Sequence, residues 1–297
     1  MNVALLGDHI ITNDVLKTAL ERAFEDSGIQ FEYTYYTGGW PLEPIQNNDE
    51  IREFIGDDTE IVPRVGNSEI ILTQSCPVSR KVIDAARHLK VVGAARGGPV
   101  NVNSQALTER GIPLLYSPGS HAGAVAEFTI GLILAHVRNI ARAHMSMAVE
   151  KRWRGDLYVY EEAGSELSYS VAGIVGYGGI GSKVAALCRC FGARTLVFDP
   201  YVSAEAIQEA GHEPVSLDAL LGESDIVTLH ARLNDSTRGM IGERELKLMK
   251  PTAILVNTAR GGLVQEAQLC RALEQRWIAG AALDVFETEP LPADSPL

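Results

Sequence analysis

Hydrophobic and polar positions fall into two kinds of segment, which alternate along the whole chain. Short apolar runs, typical of buried strands, are separated by amphipathic stretches with helical spacing. The predicted strands of the first part are residues 2–6, 31–35, 69–73, 90–94 and 112–116. After residue 170 the alternation resumes, with predicted strands in VAGIVGYG, TLVFDP, DIVTLH, AILVNTA and AGAALDV. Short buried strands separated by helices indicate parallel sheets covered on both faces.

The pattern predicts an α/β fold with two doubly wound parallel-sheet domains. A turn signal, Ser117-Pro118-Gly119, closes the first half. We therefore assign residues 1–117 to one domain and residues 118–297 to the other. A chain of 297 residues is near the length at which one hydrophobic core usually splits into two.

A long helix is predicted over residues 122–149, at the start of the second domain. Its first half, AVAEFTIGLILAHV, is apolar nearly all round, so we expect it to be buried on most sides. Such a helix often packs against a partner subunit, which predicts a homodimer. The alternative is a helix buried within one chain. We expect the polar stretch that follows, residues 150–170, to be an extended surface connection.

Composition and charge indicate a soluble globular protein and argue against a membrane protein or a nucleic-acid-binding protein. Hydrophobic and charged contents of 46% and 22% are ordinary for a soluble globular chain. No apolar run is long enough to predict a membrane span, and a net charge of −12 argues against a nucleic-acid partner. The spacing of the four cysteines fits neither a zinc site nor a redox pair, so we predict no metal site and a cytoplasmic protein with reduced thiols.

The strongest chemical motif is a glycine loop. The segment VAGIVGYGGIG is a strand that runs into G-x-G-x-x-G and then into a helix. Gly176 permits a tight turn, Gly178 lets the backbone approach a pyrophosphate, and Gly181 lets the helix pack on the strand. The unpaired N–H groups at the start of the helix would hold the phosphates.

An acidic residue follows the glycine loop at the spacing that dinucleotide binding requires. Asp199 ends the next predicted strand, 18 residues after Gly181. A carboxylate at this position binds the adenine ribose hydroxyls and repels a 2′-phosphate, which predicts NAD as the cofactor. The alternative for Asp199 is a turn aspartate before Pro200.

Other predicted strand ends in the second half carry charged or titratable side chains. His230 follows DIVTL, Arg260 follows AILVN by three residues, and Asp284 follows AGAAL, with Glu289 five residues later. Ligands in doubly wound sheets bind beyond the carboxyl ends of the strands. The planar fork of Arg260 suits a carboxylate and an adjacent carbonyl oxygen. A surface arginine is the alternative for Arg260 alone.

These segments together resemble the D-isomer-specific 2-hydroxyacid dehydrogenases. The likeness covers nearly the whole chain and is clearest in ARGGPVNVN, AVAEFTIGLIL, GIVGYGGIG, FDP, SDIVTLH, LMKPTAILVNTARGGLV and IAGAALDVFETEP. It implies a flavodoxin-like substrate domain, a Rossmann NAD-binding domain and an active site in the cleft. It also implies an oxidoreductase that interconverts a D-2-hydroxy acid and a 2-keto acid by hydride transfer with NAD.

The resemblance also implies roles for individual residues. Arg260 would clamp the substrate carboxylate and keto oxygen, and Glu289 would hydrogen-bond a catalytic histidine and raise its pKa. The implied cofactor-binding residues are Gly176, Tyr177, Gly178, Gly179, Ile180, Gly181, Asp199, Pro200, His230, Thr258 and Asp284. The implied substrate-binding residues are Arg96, Gly97, Gly98 and Asn101.

Three features depart from the family pattern, one of which is Arg232 in place of the proline usually found two residues after His230. Arg96 stands where the family usually has glycine, and it would either select a second acidic or phosphate group on the substrate or be a solvated loop residue. The family's acid–base histidine follows the E-P glutamate, whereas none of the seven histidines here follows Glu289. We therefore expect the natural protein to continue past Leu297. Otherwise the chain is an impaired or repurposed member, such as a non-catalytic NAD-binding regulator like the family's corepressors.

Overall fold

Two compact units make up the chain, Met1–Ser120 and His121–Leu297. The computed structural model describes residues 1–39, 45–160 and 162–297. Each unit is built on one parallel β-sheet with helices connecting its strands. The predicted fold class, two doubly wound parallel-sheet domains, is confirmed.

The first unit has a five-stranded parallel sheet. Its strands are β1 Asn2–Gly7, β2 Glu32–Thr37, β3 Ile70–Thr73, β4 Val91–Ala94 and β5 Leu114–Tyr116. Its helices are α1 Asn13–Ala23, α2 Asp58–Val65, α3 Arg80–Ala85 and α4 Ser104–Glu109, with a short 3-10 helix at Glu25–Ser27. The strand order β2-β1-β3-β4-β5 is that of the flavodoxin-like fold. All five strands lie within two residues of the predicted bounds.

Strand β1 shows why this unit needs helices on both faces. Ala4 and Leu6 belong to one buried cluster, while Val3 and Leu5 belong to another that includes Leu16 of α1. Successive side chains of a strand point to opposite faces of the sheet. A nearly continuous apolar strand therefore fills two cores at once, which is typical of parallel sheets.

The second unit has a six-stranded parallel sheet. Its strands are β6 Val171–Val175, β7 Arg194–Phe198, β8 Glu213–Pro214, β9 Ile226–Leu229, β10 Ile254–Asn257 and β11 Gly280–Leu283. Its helices are α5 Ala122–Val137, α6 Ile140–Ala148, α7 Gly181–Cys190, α8 Ala204–Glu209, α9 Leu217–Glu223, α10 Glu243–Leu248 and α11 Glu266–Glu274. The strand order β11-β10-β9-β6-β7-β8 is the Rossmann order.

The prediction of one continuous helix over 122–149 is wrong. Helices α5 and α6 meet at an angle of 68°. Between them Asn139 adopts a left-handed conformation, with φ of 56°, and its side-chain amide donates to the carbonyl oxygen of Glu162 at 2.8 Å. Asparagine tolerates this conformation better than most residues. The bend is thus fixed by a residue type suited to it and by a contact from a later segment.

Within one chain α5 is buried on one face only, so its burial on most sides stays a prediction that depends on the predicted partner subunit. The buried residues of α5 lie on one face: Ala122, Ala126, Thr129, Ile130 and Ile133. Residues 124, 127, 128 and 131 form an exposed stripe at helical spacing, and Phe128 within it is 49% exposed. The apolar residues of α5 therefore occupy two different environments, a buried face and an exposed face.

Residues 150–160 and 162–170 lie mostly on the surface, as predicted, but they are not wholly extended. Two 3-10 helices interrupt the connection, Gly155–Tyr158 and Leu167–Tyr169. Within the described residues, no single helix has both the length and the apolarity to cross a membrane. Only α5 and α6 taken together pass that test, by length and composition, and they are sharply bent.

The turn before β11 offers a test of backbone strain. Exposed Arg276 has a φ of 55°, a conformation that disfavours a side chain with a Cβ atom. We predict that Arg276→Gly raises the free energy of unfolding by up to about 1 kcal/mol, because the left-handed penalty outweighs the added freedom of the unfolded chain. Denaturant unfolding measures this change. Arg276→Ala keeps the Cβ atom, and an equal gain in that variant would contradict the explanation.

Candidate functional site

The glycine loop joins β6 to α7 in a turn that only glycine fits at two positions. Gly176 has a φ of 94°, and a Cβ atom there would lie 2.6 Å from the backbone nitrogen of Ala231. A Cβ atom on Gly181 would lie within 2 Å of the carbonyl oxygen of Gly176. The first turn of α7 therefore packs directly on the end of β6. This is the close helix–strand approach that the motif predicts.

The middle of the loop leaves its backbone open. Gly178 and Gly179 are exposed, and a Cβ atom on either would meet no atom within 4 Å. Tyr177 and Ile180, on either side, are partly buried against the core of this unit. A pyrophosphate can therefore reach the backbone of the two glycines and the start of α7, and this geometry fits a dinucleotide.

Asp199 links the glycine loop to the end of β7. One carboxylate oxygen accepts a hydrogen bond from the backbone N–H of Tyr177 at 2.6 Å, and the other accepts from that of Tyr201 at 2.8 Å. The two roles suggested for Asp199, a turn aspartate and a ribose-binding carboxylate, are thus compatible. Asp199 holds a turn and also lies beside the glycine loop. A carboxylate has about four acceptor positions, so ribose hydroxyls can still bind. Pro200 beside it is exposed.

His230 lies directly behind the glycine loop. Its backbone N–H donates to the carbonyl oxygen of Val175, and its Nε2 pairs with the hydroxyl of Thr228 at 2.9 Å. Burial lowers its pKa to about 4, so the imidazole is neutral near pH 7. Among the described residues its buried Nδ1 has no hydrogen-bond partner. The imidazole is therefore a neutral, buried group that packs behind the loop, near Gly176 and Gly181.

The turn after β10 is held in shape by buried side chains. Buried Asn257 donates from its amide to the carbonyl oxygen of Arg260 at 2.9 Å and accepts from the N–H of Ala259 at 3.1 Å. Thr258 hydrogen-bonds Thr129 of α5, hydroxyl to hydroxyl, at 2.8 Å. The guanidinium of exposed Arg260 donates to the carbonyl oxygen of Ala259. The arginine is therefore carried by a rigid turn, which limits where its side chain can reach.

The segment after β11 packs against the same turn. A Cβ atom on Gly261 would lie within 2 Å of the Phe286 backbone, so the two chain segments touch. The N–H of Asp284 donates to the carbonyl oxygen of Asn257 at 3.0 Å. Exposed Glu289 accepts from the N–H of Phe286 at 3.0 Å. The structure thus brings together the segments that carry Arg260, Asp284 and Glu289.

In the first unit the predicted substrate loop is tied down by Asn101. This fully buried residue donates from its amide to the carbonyl oxygens of Gln74 at 3.2 Å and Cys76 at 2.7 Å. Gly97 is exposed and Gly98 partly buried. Arg96 is not solvated, because only 15% of its side chain is exposed and its guanidinium pairs with Glu53 at 2.5 Å.

Three structural contributors were missed by the sequence reasoning. Asn257 and Thr129 shape the Arg260 turn, and Glu53 neutralises Arg96. Asn257 could have been identified from the sequence, because it is the polar residue that ends an apolar strand. Asparagine side chains at such positions often hydrogen-bond the nearby backbone. Glu53 gave no signal, because it lies 43 residues from Arg96 in the sequence.

Comparison with known proteins gives a family for this geometry. Residues 130–297 match the family model of the NAD-binding domain of D-isomer specific 2-hydroxyacid dehydrogenases. A D-3-phosphoglycerate dehydrogenase of Archaeoglobus fulgidus is 38% identical over 80% of this chain and 44% of its own length. A glyoxylate reductase of Korarchaeum cryptofilum is 38% identical over 80% of this chain and 71% of its length. The chain spans less than half the length of the phosphoglycerate dehydrogenases that it matches.

Solved structures agree with this result. The TT0316 protein of Thermus thermophilus aligns with a TM-score of 0.79 and 29% identity, over 100% of this chain and 85% of its own. A D-lactate dehydrogenase of Aquifex aeolicus, solved with NAD and lactic acid, aligns with a TM-score of 0.72 and 26% identity, over 96% and 78%. The Rossmann order, the open glycine loop and the family match over 130–297 agree, and the chain belongs to the D-isomer specific 2-hydroxyacid dehydrogenases.

Proposed function

We propose that this protein is an NAD-dependent oxidoreductase that interconverts a D-2-hydroxy acid and a 2-keto acid. The observation that carries the proposal is the open backbone of Gly178 and Gly179 beside Asp199, on a sheet of Rossmann order. The similar glyoxylate, hydroxypyruvate and phosphoglycerate enzymes support the reaction class.

The glycine loop and its neighbours would hold the dinucleotide. N–H groups at Gly178, Gly179 and the start of α7 would bind the pyrophosphate, and Asp199 would accept from the adenine ribose. Neutral His230 would support the loop from behind without adding charge. The roles proposed for Thr258 and Asp284 follow from their places at the ends of β10 and β11. Bound NADH would supply the hydride for the substrate carbon.

Arg260 would bind and polarise the substrate. Two parallel N–H donors can hold a carboxylate and the neighbouring carbonyl oxygen, and they stabilise the charge that develops on that oxygen. Arginine keeps its proton over the whole working pH range, so Arg260 is an electrostatic group and not the proton donor. Glu289 would orient the acid–base histidine that the family resemblance implies, which none of the seven histidines of this sequence supplies after Glu289.

We predict that Asp199 sets the preference for NADH over NADPH. The wild type should bind NADH at least about tenfold more tightly, since a carboxylate repels a 2′-phosphate. Asp199→Asn loses the charge, so the preference should shrink. It keeps one of the two oxygens that accept the N–H groups of Tyr177 and Tyr201, so the thermal midpoint should also fall by the equivalent of about 1 kcal/mol. Fluorescence titration with both nucleotides measures the ratio. Equal affinities in the wild type would contradict the assignment.

We predict that Arg260→Lys lowers kcat/KM for 2-keto acids by about a hundredfold, because a lysine loses the two-donor geometry. NADH affinity should be unchanged. Loss of NADH absorbance with glyoxylate, hydroxypyruvate and other 2-keto acids measures the effect. Arg276→Lys, an exposed arginine before β11, is the matched control and should keep full activity. Bound NADH without turnover across the panel would instead favour a non-catalytic NAD-binding role.

We also propose that the protein is a homodimer through α5, α6 and the connection that follows. This region contains a dense group of exposed apolar side chains: Phe128, Ile140, Met145, Met147, Val149, Trp153, Tyr158, Val159, Tyr160 and Tyr169. Large exposed apolar patches mark interaction surfaces. Small residues next to Phe128 on α5, Ala124 and Gly131, would allow a second helix to approach closely.

We predict that the wild type has twice the 32.1-kDa chain mass in light scattering at micromolar concentration. Phe128→Arg should yield the monomer mass, because it places a charge in the buried centre of the proposed interface. Val15→Arg, on an exposed apolar position of α1, should leave the dimer intact. A monomeric wild type would rule the interface out.

We propose a cytoplasmic location as well. All four cysteines are free. Burial raises the pKa of the Cys76 and Cys188 thiols to about 12, so both are unreactive and protonated. Buried free thiols are typical of proteins in reducing compartments.

A further inference from the structure

Arg96, the departure from the family's glycine, is held by three acceptors of its own unit. Its Nη2 lies 2.5 Å from the carboxylate of Glu53, and its Nη1 lies 3.1 Å from the carbonyl oxygen of Glu53. The same Nη1 lies 3.5 Å from the side-chain oxygen of Asn101. With 15% of its side chain exposed, the guanidinium is a neutralised, partly buried cation.

The segment that carries Glu53 is docked onto the predicted substrate loop and onto the turn that follows β3. The N–H of Arg52 donates to the carbonyl oxygen of Val100 at 2.9 Å, and the N–H of Ile55 donates to that of Ser75 at 3.0 Å. Glu53 itself has a φ of 50°. A left-handed glutamate is costly and persists only where the surroundings fix it. The carboxylate is therefore held in place before any ligand arrives.

We propose that the Arg96–Glu53 pair is a specificity-determining charge filter. It selects 2-keto acids with an uncharged tail and rejects those with a second anionic group. The inference rests on the proposed function. A distal phosphate would have to displace a tethered carboxylate that competes at high local concentration. It would also meet the repulsion of that carboxylate, which is how many sites reject a wrong substrate.

The test compares hydroxypyruvate with 3-phosphohydroxypyruvate, which differ only by the phosphate. The wild-type chain should strongly prefer hydroxypyruvate. Glu53→Gln leaves the guanidinium without its counterion, so the ratio of kcat/KM for the phosphorylated to the plain substrate should rise at least about tenfold. Glu53→Gly should do the same while relieving the left-handed backbone, which protects the test against a folding defect.

Two control variants make the result specific. Asp49→Asn removes one exposed negative charge four residues earlier in the same segment, and the ratio should stay at the wild-type value. The double variant Glu53→Gln with Arg96→Gln removes the cation too and should show no rise. A rise in Asp49→Asn as large as in Glu53→Gln overturns the proposal, because general charge would then explain it. So does an unchanged ratio in both Glu53 variants.

A binding measurement separates this inference from the reaction itself. If no variant reduces any 2-keto acid, the proposed function fails. Calorimetric titration of 3-phosphoglycerate and D-glycerate into the NAD-saturated chain then tests the pair alone. Relative affinity for the phosphorylated ligand should rise at least about tenfold from wild type to Glu53→Gln. An unchanged ratio of affinities sinks the charge filter whatever the activity.

Discussion

The close approach of Gly181 to the carbonyl oxygen of Gly176 is the constraint on which the nucleotide half of the site depends. A side chain at either position would collide with backbone atoms. Because α7 starts so near β6, the loop between them turns outward and leaves Gly178 and Gly179 uncovered. The same turn places the Tyr177 N–H within reach of Asp199 and packs His230 behind the loop. This one steric requirement therefore determines how the residues at the ends of three strands, β6, β7 and β9, lie relative to one another.

The parts of the structure that could be predicted from the sequence are those determined by the local pattern of residues. Buried parallel strands are short, apolar runs on both faces, so β1 to β5 could be placed within two residues. The backbone conformation of the glycine loop requires glycine at particular positions, so the sequence motif alone predicts the shape of the loop. The exposed strand-end positions of Asp284 and Arg260 follow from topology, since parallel strands end at one edge of the sheet.

The parts that it missed depend on contacts between distant residues. The bend at Asn139 depends on a hydrogen bond to Glu162, and the neutralisation of Arg96 depends on a segment 43 residues earlier. Hydrophobic periodicity gives no information about either contact. It also did not separate the buried face of α5 from its exposed face, because the exposed face is apolar apart from Glu127. Phe128 and Ile133 look alike in sequence, yet one is half exposed and the other is buried.

The bend between α5 and α6 has a geometric consequence for whatever covers them. Two rods that meet at 68° cannot both lie along one straight groove. A single straight helix would cover one arm and leave the other exposed to solvent. A partner that buries both arms must be broad enough to span the bend. Shape, as well as apolarity, therefore restricts the partners of this surface, and Asn139 is the residue at which that shape is set.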